Sequence, residues 1–258
     1  MSRIVQRGAT GPLSLTASGT FQQSTDGNLL TLCGTRWDLE DGREVVLVQA
    51  NSSADLAEGK LMQDAALVAN HSDLAVTATQ AYSNNGNVPA TVTVTLGGTA
   101  VTAGQYAGGY AVVVDGAGAG QTLQIANHPA QATTNGNVVI TLADAPNTAL
   151  DTTSKVSLVP QPGTGVIINP TTATNTPRGV TLYPITKSSF GFLISKGTVS
   201  CLADSTAPGV GTPISPSVNT AGAIMQTAYA TNVVTEAVIG RAIYATVSAK
   251  YYPVVVDL

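Results

Sequence analysis

A chain of 258 residues, 43% hydrophobic and only 10% charged, has enough apolar residues to fill a core but lacks the Glu and Lys of long exposed helices. Its net charge of −4, without any basic run, disfavours direct nucleic-acid binding, which needs Lys and Arg to displace counterions from phosphates. No run of about twenty apolar residues marks a membrane span, so no membrane partner is expected.

Residues Met1 to Gly11 carry Arg3 and Arg7, and no long apolar stretch follows. A secretory signal is therefore not expected, and folding in a cytoplasm is. Cys33 and Cys201 lie far apart and read as two buried thiols in preference to a disulfide. Trp37, the one tryptophan, is either a core plug or an interface anchor, and its neighbours Arg36 and Asp38 point to partial exposure. Asp38, Glu40 and Asp41 lack the alternating oxygen ligands of a calcium loop. They read as an acidic turn before a strand at Arg43, and no metal is assigned. Ala54 to Met62 has the makings of one helical turn.

No Lys or Arg lies between Lys60 and Lys155. A composition shift this abrupt predicts a separate unit: a base from residues 1–65 and 165–258, with an insert over 66–164. Within the insert, Val88 to Leu96 alternates, and Tyr110 to Val114 and Val138 to Leu142 are short apolar runs. Turn signals such as Asn84-Asn85-Gly86, Asp115-Gly116 and Asn135-Gly136 separate them, a spacing that predicts a β-sandwich. His71 and His128 read as solvated loop histidines with no triad partner, so no catalytic residue is assigned. Gly116-Ala117-Gly118-Ala119-Gly120 has the wrong spacing for a phosphate loop and reads as a hairpin. Gln161 to Pro177, rich in Pro, Gly and Thr, reads as a linker.

In the C-terminal part, Val180 to Ile185, Phe190 to Ser195 and Thr198 to Leu202 read as successive strands around Gly191 and Gly197. Ser205 to Ser217, with three prolines, reads as a loop. Val233 to Val247 is long and apolar, and Tyr252 to Leu258 is β-favouring. The expected fold is all-β: a β-sandwich or small β-barrel base with an inserted or appended second β-sandwich domain.

Gly42-Arg43-Glu44-Val45-Val46-Leu47-Val48 followed by Asp55-Leu56-Ala57-Glu58-Gly59-Lys60 resembles an early strand and turn of tailed-bacteriophage virion proteins. Ile185-Thr186 with Phe190 to Val199 resembles the central hairpin of phage capsid decoration, or cement, proteins. Val238 to Ala245 with Val254 to Leu258 is similar to that family's closing strands. The resemblance implies a non-enzymatic, β-rich and often trimeric protein without a cofactor. It would be made in the host cytoplasm, sit on the outer capsid surface, bind the major capsid protein and stabilise the shell. The insert has no counterpart in the simplest members.

All Lys and Arg lie outside residues 61–154, so the base is expected to hold the partner. Arg36, Trp37 and Arg43 are the expected contacts, ahead of Arg3 and Arg7 in a flexible arm. The competing reading is a phage fibre or glycan-binding adhesin. No fixed repeat supports a fibre, and Tyr82, Tyr106 and Tyr110 are the insert's only aromatics for stacking on sugars.

Overall fold

The computed structural model describes residues 4–5, 23–78, 90–204, 208–230, 233–234, 237–245, 247 and 249–258. The fold is all-β, with two short 3-10 turns at Gly27–Leu32 and Ala69–His71. The first strands are β1 (Ile4–Val5), β2 (Arg36–Leu39), β3 (Glu44–Gln49) and β4 (Leu61–Gln63). Then come β5 (Leu74–Ala75), β6 (Thr91–Thr95), β7 (Tyr110–Asp115), β8 (Thr122–Asn127), β9 (Asn137–Leu142) and β10 (Lys155–Val159). The chain continues with β11 (Ile167–Ile168), β12 (Pro177–Thr181), β13 (Phe190–Leu202), β14 (Pro213–Pro216) and β15 (Ile224–Gln226). It closes with β16 (Tyr229–Ala230), β17 (Val233–Val234), β18 (Gly240–Ala242) and β19 (Tyr251–Asp257).

Two compact units emerge: a base of Met1–Ala66 with Gly163–Leu258, and an insert of Leu67–Pro162. The base is built on one sheet ordered β1-β2-β3-β13-β19-β18-β14-β15, with β4, β11 and β12 joined beside it. Both faces of β3 are covered. Val45 and Leu47 enter a core with Trp37, Phe192, Ile194, Cys201, Val254 and Val256. Val46 and Val48 enter a second core with Leu56, Met62, Ile185 and Leu193. A strand buried on both faces needs no polar alternation, which is why Val45-Val46-Leu47-Val48 is a continuous apolar run.

Phe190 to Leu202 is one strand, not the two expected. Gly197 (φ +102°) adopts a backbone that only glycine takes without strain, beside the register shift between Ile194 and Lys196. The glycine sits at an irregularity in β13 without ending it. The first half of β13 pairs with β3, from Phe190–Gln49 to Lys196–Glu44. The second half pairs with β19, from Lys196–Asp257 to Leu202–Tyr251.

Other expectations fail for local reasons. Ala54 to Met62 is not helical: the Asn51 side-chain oxygen accepts the Ser53 and Ala54 amides at 2.8 and 3.0 Å, and Leu56 then bridges to Ile185. Such side-chain bonds compete with a helix for the same donors. The expected linker packs into the base: Val166 is fully buried, and β11 pairs with β4. Within 205–217, Pro213 to Pro216 forms β14, where each proline occupies a strand end. The strand expected at Val180 to Ile185 lies earlier, at Pro177–Thr181. Most of Val233 to Val247 falls outside the described strands, and Gly240–Ala242 is the part that pairs with β19.

The insert is one antiparallel sheet ordered β5-β10-β7-β8-β9-β6. Its edges meet: Val76 bridges Val94, and the Thr77 amide donates to the Thr93 carbonyl at 2.9 Å. The result is a barrel-like closure, where two facing sheets were expected. The inward residues alternate along each strand (Val92 and Val94, Ala111 and Val113, Leu123 and Ile125, Val138 and Ile140) and fill a single core. That alternation is common to sandwiches and barrels, so periodicity alone does not separate them.

The base ties together the chain segments that flank the insert. Gly163 N–H donates to Asp64 Oδ1 at 2.9 Å, and Asn175 Nδ2 donates to the Ala65 carbonyl at 2.7 Å. Arg178 Nε donates to the same Asp64 Oδ1 at 2.9 Å, while its Nη2 pairs with Oδ2.

Candidate partner-binding surface

The expected contacts are dispersed by the geometry of β2. Successive side chains on a strand point to opposite faces. Arg36 therefore faces out and Trp37 faces in. Trp37 is 7% exposed and meets the Phe192 ring edge-on, with centroids 5.7 Å apart. It is a core residue, and the expectation that it contacts a partner is corrected. Arg36 donates to Glu44 Oε1 at 2.7 Å and to the Leu258 main-chain oxygen at 2.8 Å. Arg43 pairs with Asp41 through Nη2 at 2.7 Å and Nε at 2.8 Å, closing the turn between β2 and β3. Both arginines keep some exposure, but each already has a carboxylate partner. Arg3 and Arg7 lie outside the described residues.

The two histidines are buried, at 1% and 2% exposure, which corrects the solvated reading. They flank Tyr106 in the insert. The Tyr106 hydroxyl lies 2.6 Å from His71 Nδ1, and His71 Nε2 lies 2.9 Å from the Thr99 carbonyl. The Tyr106 amide donates to His128 Nε2 at 3.0 Å, and His128 Nδ1 lies 2.9 Å from the Pro129 carbonyl. Every ring nitrogen thus serves the fold. Burial also pushes the Tyr106 phenol up to about 12. In the Gly116–Gly120 loop, the Gly116, Ala117 and Gly120 amides donate to Asp115 Oδ1, Thr153 Oγ1 and the Val113 carbonyl. Those bonds hold a hairpin. Among the described residues, no group of three or more His, Cys, Asp or Glu is placed to hold a metal, and no helix is long and apolar enough to cross a membrane.

Cys33 and Cys201 are free and buried in the Trp37 core, and desolvation pushes both thiols up to about 12. The thiolate is the reactive form, so both should be inert near neutrality. Titration with a disulfide reagent at pH 8 should report no free thiol in the native protein and both after denaturation. Stoichiometric reaction of either thiol before unfolding would contradict this packing.

The base surface differs in kind around β18 and β19. Tyr251 and Val255 point outward from β19 at 51% and 42% exposure, while Val254 and Val256, on either side of Val255, are fully buried. Val210, Val238, Tyr244 and Val247 are also exposed, at 69%, 49%, 62% and 55%. Beside Tyr251 lies a cleft of about 220 Å³, lined by Glu58, Gly59, Thr181, Leu182, Val199 and Ser200. Sequence reasoning missed Glu58 and Tyr251, which come from distant parts of the chain. The one signal was the Glu58-Gly59 pair, where a glycine leaves room for a ring to lie against the backbone.

No protein-family model, curated protein or solved structure matches this chain.

Proposed function

We propose that the chain is a non-enzymatic phage virion protein that binds the outer capsid surface and stabilises it by bridging capsid subunits. The carrying observation is where the family-like stretches fall. Gly42 to Val48, Phe190 to Val199, Val238 to Ala245 and Val254 to Leu258 lie on or around β3, β13, β18 and β19, which are neighbours in the order β3-β13-β19-β18. Those four stretches fall in one contiguous sheet, while Asp55 to Lys60 and Ile185-Thr186 lie outside its strands, where Leu56 bridges Ile185. The exposed apolar side chains at β19 and in the segments around β18 support this reading, since a protein partner would cover them. In this reading the base carries the contact, and self-association into a trimer multiplies modest single contacts through effective concentration.

The test is reconstitution. Heads of the encoding phage, stripped of this protein, are mixed with the purified chain and sedimented. The expected result is co-sedimentation at a fixed ratio to the major capsid protein, with heads that survive a higher temperature. Recovery of the chain with tails or fibres, or sugar binding without head binding, would instead favour the adhesin.

A further inference from the structure

The Tyr251 ring is seated on bare backbone. A β carbon added to Gly59 (φ +63°) would lie 2.7 Å from two of the ring carbons. Leu182 and Val199 provide the apolar lining of the cleft beside it, and Ser200 adds a polar edge. The Thr181 hydroxyl is turned to the fold, donating to the Ala57 carbonyl at 2.5 Å. At about 220 Å³ the space suits one side chain better than a whole small-molecule ligand. Glu58 also lines it, is exposed, and has no ion pair or hydrogen bond among the described residues. The described carboxylates of Asp41, Glu44, Asp64 and Asp257 each have a cationic partner within the fold.

We propose that this cleft is a socket for an arginine side chain presented by a protein partner. The methylenes of that side chain would lie against Leu182, Val199 and the Tyr251 ring, and the guanidinium would pair with Glu58. An unpaired carboxylate beside an exposed aromatic face selects a cation. Arginine fits better than lysine, because its flat, weakly hydrated head both stacks on a ring and forks onto a carboxylate. The inference does not depend on the capsid reading, since such a socket serves any protein partner with a protruding arginine.

The test is an NMR titration of the full chain with N-acetyl-arginine amide and with its neutral isostere, N-acetyl-citrulline amide. Saturable shifts centred on Gly59, Ser200 and Tyr251 are expected with the arginine compound, and about tenfold weaker binding with citrulline. Glu58→Gln should bring arginine down to the citrulline level, and Tyr251→Ala should abolish both responses. Glu58 is a surface residue, so its substitution tests the socket even if the Tyr251 variant folds poorly. Equal binding of the two compounds, indifference to Glu58→Gln, or shifts centred elsewhere would each overturn the assignment.

Discussion

Asp64→Ala should destabilise the base by about 3–5 kcal/mol, the usual loss when one member of a buried ion pair is removed. Asp64 and Arg178 have side-chain exposures of only 10% and 16%. Without the carboxylate, Arg178 keeps a desolvated charge and the Gly163 amide loses its acceptor. Trp37, the sole tryptophan, lies in the base core, so its fluorescence in urea follows this unit. With a slope of about 1–3 kcal/mol per molar, the midpoint should fall by more than about 1 M. Asp64→Asn should lose less, because it keeps an oxygen for Gly163. Asp64→Leu combined with Arg178→Met should recover most of the loss, since a buried pair replaced by apolar residues leaves no orphan charge. An unmoved midpoint in Asp64→Ala would show that the pair does not hold the base together.

Gly116→Ala should be the most damaging small change in the insert. Gly116 has φ +76°, and a methyl there would fall on the main-chain carbonyl of Thr153 and on the Ser154 amide. Left-handed backbone costs a non-glycine residue about 1–3 kcal/mol. Forced overlap adds about 1–3 kcal/mol. Together that is about 2–6 kcal/mol. Gly120 is the control: its φ is +89°, but nothing lies within 4 Å of a methyl, so Gly120→Ala should lose only the conformational share. Amide exchange should show β7 and β10 losing protection in Gly116→Ala, while the Trp37 transition stays in place. Equal damage from both substitutions would remove the steric part of the argument.

The all-β character was legible because it rests on local chemistry: β-branched alternation and glycine turns. The gap in Lys and Arg between Lys60 and Lys155 pointed to an insert, and Ala66 and Gly163 are where the compact units divide. What the sequence hid was non-local. Trp37 looked exposed because Arg36 and Asp38 flank it, yet on a strand the neighbours of an inward residue point outward, so their charge says nothing about it. His71 and His128 looked like loop residues, and their burial comes from Tyr106, which engages both. Gly197 looked like a turn because a glycine in a strand pattern marks a bulge as readily as an end. The Glu58–Tyr251 cleft requires β13, β19 and the turn before β4 to meet, and no window of sequence contains all three.

The long strand β13 also sets a timetable. Its first half pairs with β3, whose residues are made well before it, and the whole insert is translated in the interval. On a ribosome adding about 5–20 residues per second, the self-contained barrel has time to form first. Meanwhile Val45 to Val48 wait without a neighbour to pair with on the β13 side. Until β13 is translated, the β13 side of β3 is thus an unpaired edge of the kind that recruits other strands.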